Sequence, residues 1–296
     1  MEALLCDEDW LSSPAEAHIG LHHEKKHGGS AESLMSSVCV TANDEDNEQA
    51  VSVCLEKEMS YMPESHYKEF LESKNLVFVR LRCIQWLIKC RIRWSLSHGT
   101  VFLAANYLDR FISKNRCKEW KNWMVELLAV ACLSVACKFH ESYPPTLTEI
   151  QMEEMDHVFD GSSIERMEMI LLKVLEWRLC SPTPYSYIQL LESMELEAEV
   201  GGKFLMPNIT QLLLGAVLDY NLVDFRPSLL AVSAVWCCPD YFLPPITSQT
   251  RLSYITRMFN QHPEDEMMKC REVMQAARSS HCPRSPTSVL MNERSC

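Results

Sequence analysis

An all-α fold is predicted by three features of the chain. Its apolar residues recur at helical spacing, Pro and Ser mark the breaks between those stretches, and only eight glycines occur in 296 residues. So few glycines disfavour folds built on phosphate loops, tight hairpins or many strand-to-helix turns, and favour helices joined by short connections marked by Pro and Ser. With 47% apolar residues there is material for sizeable cores, in one large domain or two ordinary ones.

Residues 1–49 are rich in Ser, His, Asp, Glu and Asn without sustained periodicity, which predicts a disordered arm. Beyond it Val77, Leu81, Ile84 and Ile88 make the stripe of one amphipathic helix. Ser97 is placed to cap the next, whose stripe is Val101, Ala105, Leu108 and Ile112. Residues 127–137 are apolar all round except for Ser134, so that helix must be wrapped by others. The run is too short to span a bilayer; Lys138 ends it, and Pro144 and Pro145 stop helical continuation. Ser162 and Glu165 have the spacing of a capping box, opening a helix with Met167, Ile170, Leu171, Val174 and Leu175 on one face, up to Trp177. Ser181, Pro182, Thr183 and Pro184 then mark a boundary. Leu127-Leu128-Ala129-Val130 recurs 102 residues on as Leu229-Leu230-Ala231-Val232, again in a wholly apolar stretch, which points to two similar helical units in tandem. The expected division is an arm over 1–49, a first unit over 50–182, a second over 183–277 and a polar tail over 278–296.

The net charge of −12, from 40 acidic against 28 basic residues, repels a phosphate backbone and speaks against direct nucleic-acid binding. No basic-then-apolar signal segment opens the chain, and a soluble intracellular protein is expected. The 14 cysteines include no Cys-x-x-Cys pair, and Cys83, Cys90, Cys132 and Cys137 sit within apolar helical patterns; they read as small buried hydrophobes of a reducing compartment. His18, His22, His23 and His27 include i, i+4 pairs but run into Gly28 and Gly29 with no cysteine nearby, so no metal site and no cofactor are inferred. Ser13-Pro14 and Ser285-Pro286 are candidate proline-directed phosphorylation sites, and Lys25-Lys26 is too short for a strong nuclear import signal.

Leu4, Cys6 and Glu8 form a Leu-x-Cys-x-Glu pattern in an acidic stretch. In an extended segment, side chains at i, i+2 and i+4 share one side, so these three face a partner together. The apolar pair fills pockets while the carboxylate accepts hydrogen bonds from backbone amides, and the flanking acids suit a basic rim.

Trp86-Leu87, the run from Asn106 through Tyr107, Leu108, Asp109 and Arg110 to Phe111, residues 127–137 with Lys138-Phe139, and Arg166-Met167-Glu168 before Leu175-Glu176-Trp177 together resemble the cyclin box. With the N-terminal Leu-x-Cys-x-Glu, they make the chain similar to the plant D-type cyclins, well over about residues 50–190 and more weakly to about 275. The resemblance implies two five-helix cyclin folds and a non-catalytic subunit that binds and activates a cyclin-dependent kinase at the G1/S transition. It also implies a retinoblastoma-related pocket protein as a second partner, recruited as substrate by Leu4, Cys6 and Glu8. In that family the lysine ending the third helix and a glutamate of the fifth grip the mobile kinase helix that carries its activating glutamate; by motif these are Lys138 and Glu168, with Glu141 as a supporting contact.

Arg80 and Asp109 lie at the edges of apolar stripes, where charges are costly unless paired. The family's matching residues form an internal ion pair. A substrate groove for arginine-x-leucine peptides is implied around Val79 and Trp86. Here, however, Arg82 stands where an isoleucine would help floor it and Lys89 where an acid would seat the arginine, with Glu126 left to restore one favourable contact. Weak docking is therefore expected. Neither membrane nor nucleic acid is an expected partner, and the expected location is the nucleus, with a cytoplasmic share. Two other readings compete. A cyclin-fold transcription factor contacting promoter DNA would need a basic face. A cysteine hydrolase would need a nucleophile signature that the chain lacks.

Overall fold

The computed structural model describes residues 44–115, 117, 119–153, 155–195, 206–238 and 262–281. Among these there is no strand. The helices are α1 (Asp44–Lys57), followed by a 3-10 turn (Glu58–Tyr61), α2 (Tyr67–Ser73), α3 (Val77–Trp94), α4 (His98–Lys114), α5 (Asn122–His140), the single turn α6 (Leu147–Ile150) and α7 (Gly161–Val174). Beyond them come α8 (Pro184–Glu195), α9 (Met206–Leu218), a 3-10 turn (Tyr220–Leu222), α10 (Pro227–Trp236) and α11 (Glu264–His281). The expected boundaries at 49 and 277 therefore fall inside α1 and α11. Acid-rich residues 44–48 make the positive end of a helix dipole, a favourable place for negative residue types.

Helix α5 is the hub of the first unit, packed against α3, α4, α6 and α7. Every residue from Met124 to Cys137 is buried, so apolarity on all sides is matched by neighbours on all sides. At 19 residues it is longer than the apolar run alone, and by length and composition it could cross a membrane; 78% of its most apolar window is instead buried inside the protein. Helix α4 corrects its amphipathic reading, because it too is buried on nearly every face, from Gly99 to Ile112. Its start is held as expected by Ser97, whose hydroxyl accepts from the Gly99 amide at 3.1 Å. The close approach suits glycine there: a Cβ on Gly99 would lie 2.9 Å from the His140 ring at the end of α5, which would have to move aside. In the second unit α10 takes the hub position, with α8, α9 and α11 around it and Pro227 to Val235 all buried. Each fully buried Leu or Val in these hubs contributes about 1.5–3 kcal/mol.

The start of α7 differs from the expected capping box. Asp160, not Ser162, is the N-cap: its carboxylate accepts from the Ser163 amide at 2.8 Å and from the hydroxyls of Ser162 and Ser163. Those bonds hold the Asp160 carboxyl well below its ordinary range. A carboxylate that can take three donors at once outcompetes a hydroxyl two residues later.

A clasp ties the turn after α1 to the second unit. The buried Glu58 carboxylate accepts from Tyr187 Oη on α8 at 3.0 Å, and from the amide and hydroxyl of Ser228 on α10 at 3.0 and 2.8 Å. Ser228 Oγ lies 2.9 Å from His262 Nε2. The carboxylate sits at the positive end of α10 and satisfies one of its open amides, so its burial is compensated.

Candidate functional site

Arg80 and Asp109 meet between α3 and α4. Arg80 Nε and Nη2 each lie 2.7 Å from a different oxygen of Asp109, a two-pronged pair whose arginine is 2% exposed. Tyr67 Oη adds a third donor to Asp109 at 2.8 Å. Burial alone drags the guanidinium's pKa down, yet the attraction and hydrogen bonds of Asp109 outweigh it, so the net shift is upward. The tyrosine was not legible as a member of this cluster, since nothing local marks it.

Lys138 in the last turn of α5 and Glu168 in α7 also meet, at the surface. Lys138 Nζ lies 2.7 Å from both carboxylate oxygens of Glu168. The glutamate is nearly buried, while the lysine side chain is 54% exposed, so the pair presents its cationic end outward. Exposed apolar residues follow each member directly in sequence: Phe139, Met169 and, a few residues on, Tyr143 at 94% exposure. Glu141 has contacts within the chain as well. It accepts from the Ser97 amide at 2.8 Å and from the Thr100 hydroxyl, so its carboxylate is engaged at the open N-terminus of α4.

The expected peptide groove has a different character from the one its sequence implies. Val79 and Trp86 are buried, and the segment after α6 reaches Trp86. The Trp86 indole donates to the Glu153 carbonyl at 3.2 Å. Arg82 pairs with Asp156 at 2.6 Å and lies 3.6 Å from Glu126, so it is not a free cation; these contacts, the Asp156 hydrogen bond above all, raise its pKa. Glu126 is buried and also holds His157, whose amide and Nδ1 lie 3.2 and 2.9 Å from one of its oxygens. Lys89 stays exposed.

No group of three His, Cys, Asp or Glu residues that could hold a metal occurs among the described residues. Leu4, Cys6, Glu8, the histidines of 18–27 and both Ser-Pro pairs lie outside them. A cysteine nucleophile needs its thiolate, and burial pushes Cys83 and Cys137 up to about 12 and Cys54 and Cys270 up to about 11. These thiols are core side chains.

Known proteins resemble the chain along most of its length. The family "Cyclin, N-terminal domain" matches residues 49–180, the span of α3 to α7 with the segment before it. Cyclin-D2-2 of Oryza sativa subsp. japonica is 30% identical over 258 residues, covering 83% of this chain and 71% of that protein. Cyclin-D4-1 of the same plant is 31% identical over 265 residues, covering 82% and 70%. Among solved structures, a viral cyclin from herpesvirus saimiri superposes with a TM-score of 0.55 at 12% identity, over 80% of this chain and 96% of the viral one, a likeness of fold. The chain therefore belongs to the cyclin family, the regulatory subunits of cyclin-dependent kinases in the cell cycle, with plant D-type cyclins as its relatives.

Proposed function

We propose that this protein activates a cyclin-dependent serine/threonine kinase at the G1/S transition and brings a retinoblastoma-related pocket protein to it as substrate. The observation that carries the reading is the outward-facing Lys138 on its Glu168 anchor, flanked by exposed Phe139, Met169 and Tyr143. A fixed cation beside apolar side chains can hold the mobile helix of a kinase by backbone carbonyls and packing together, and the cyclin supplies position rather than chemistry. Nuclear entry then rides on a partner, because the chain's Lys25-Lys26 pair is short for an import signal.

The Leu4, Cys6 and Glu8 plug makes delivery of the pocket protein intramolecular, which raises its effective concentration at the kinase without a new active-site contact. Cys6→Ala or Glu8→Lys should abolish pocket-protein binding while kinase binding survives, since the motif lies far in sequence from both cores. Co-precipitation of the intact chain with the two partners is the test. Parallel loss of both partners would count against the plug.

Arginine-x-leucine peptides should bind weakly, for a reason other than charge repulsion. Glu153 and Asp156 already engage Trp86 and Arg82, so a peptide must first displace a segment of the protein's own chain. A fluorescence-anisotropy titration is expected to show no saturable binding at low-micromolar concentrations. Tight binding that Trp86→Ala removes would overturn this.

A further inference from the structure

Tyr61, on the turn that follows α1, draws two guanidinium groups together. Arg178 and Arg110 place their central carbons 4.5 and 5.0 Å from its ring centroid. Neither arginine has a carboxylate partner among the described residues, in a chain whose net charge is −12. Arg110 is 1% exposed; its Nη1 donates to the Arg178 carbonyl at 2.9 Å and to Ser181 Oγ at 3.1 Å, while its buried Nη2 has no hydrogen-bond partner. Burial, and after it the charge of Arg178, lowers the Arg110 guanidinium to about 10. Glu176, whose charge also reaches Arg110, is bridged to Lys114 at 3.3 Å. The ring's negative face offsets part of this repulsion and leaves both charges uncancelled.

Arg178 reaches outward from this cluster. Its Nη2 donates to Ser60 Oγ at 2.6 Å, and the Ser60 hydroxyl donates in turn to the Lys57 carbonyl at 2.7 Å. Ser60 is exposed, beside Met59, which is also exposed. A neutral hydroxyl is a poor match for a cation that lacks a counter-ion. A phosphoryl group on that oxygen would add about −1.5 to −2 charge and three strong acceptors at a guanidinium already in place.

We propose that Ser60 is a phosphorylation site whose phosphate is received by Arg178, with Arg110 supplying a second positive charge behind it. The donor is a nucleoside triphosphate used by a serine kinase. Ser60 Oγ bonds to the γ-phosphorus, the bond from that phosphorus to the bridging oxygen breaks, the nucleoside diphosphate leaves, and the hydroxyl proton passes to the kinase's base. The Lys57 carbonyl loses its donor and turns to water. The turn after α1 becomes tied by a charge-assisted bond to the loop after α7.

The test has two arms. Peptide mapping by mass spectrometry of the intact chain from dividing plant cells should find phosphate on Ser60. In the second, the full chain carries phosphoserine at position 60 and is titrated by phosphorus NMR. The second phosphate pKa should lie below its free value of about 6, return towards it in Arg178→Gln and be recovered in Arg178→Lys. The melting midpoint should rise by a few degrees on phosphorylation, with that rise lost in Arg178→Gln. Absence of phosphate on Ser60 in the isolated chain, or a phosphate pKa indifferent to Arg178, overturns the proposal. Stabilisation of Ser60→Ala by inorganic phosphate alone would overturn it too, by showing that the arginines serve a free anion.

Discussion

Asp109→Ala is expected to lose about 3–5 kcal/mol of stability, because it leaves the Arg80 guanidinium buried without its counter-ion and Tyr67 without its acceptor. At about 2–4 °C per kcal/mol for a domain of this order of size, the thermal midpoint should fall by roughly 10 °C. The loss belongs to the stranded charge rather than to any large net stabilisation by the pair. Replacing both members together, as in Arg80→Met with Asp109→Leu, should therefore recover much of it. A melting curve of Asp109→Ala that overlays the parent would show that Arg80 finds water or another anion.

Kinase activation should be lost in Lys138→Ala and in Glu168→Ala, with the helical circular-dichroism spectrum retained. Truncating one side of a desolvated charge-assisted contact costs about 2–5 kcal/mol, and even 2 kcal/mol weakens association roughly 30-fold. Because the two residues also bind each other, a single substitution mixes loss of the partner with loss of internal support. The exchange Lys138→Glu with Glu168→Lys separates these effects. It keeps an ion pair between α5 and α7 but presents an anion where the cation stood, so it should fold and fail to stimulate phosphorylation of histone by the assembled kinase. Full activity of the exchanged protein would reduce the pair to a strut between helices.

How far these features could be read in advance depends on how local their causes are. The α5 hub was legible because apolarity on every face has one physical meaning, and Ser97 because a cap acts over two residues. At α7, Asp160 and Ser162 are both good capping residues; choosing between them needs the count of donors each gathers, which appears only in three dimensions. Glu141 follows Lys138 so closely that motif reasoning assigned both to the same partner. The chain turns after His140, and Glu141 also meets an open helix end 41 positions away, a contact its sequence neighbourhood does not announce. Arg82 and Lys89 are equal charges in sequence, yet only Arg82 lies beneath the acidic segment that neutralises it. The clasp at Glu58 had no local signal at all, its partners standing 129 and 170 positions further on.

That separation bears on how the molecule is made. A ribosome adds about 5–20 residues per second, so Glu58 waits on the order of ten to thirty seconds for Ser228 to be synthesised, and longer for His262. Through that interval the helices around α5 have all their sequence at hand, while the turn at Glu58 keeps its carboxylate in water. The first unit can thus assemble, with the turn after α1 already seated on Arg110 and Arg178, before Glu58 gains its full set of donors. The final stretch of translation determines when that carboxylate is fully covered.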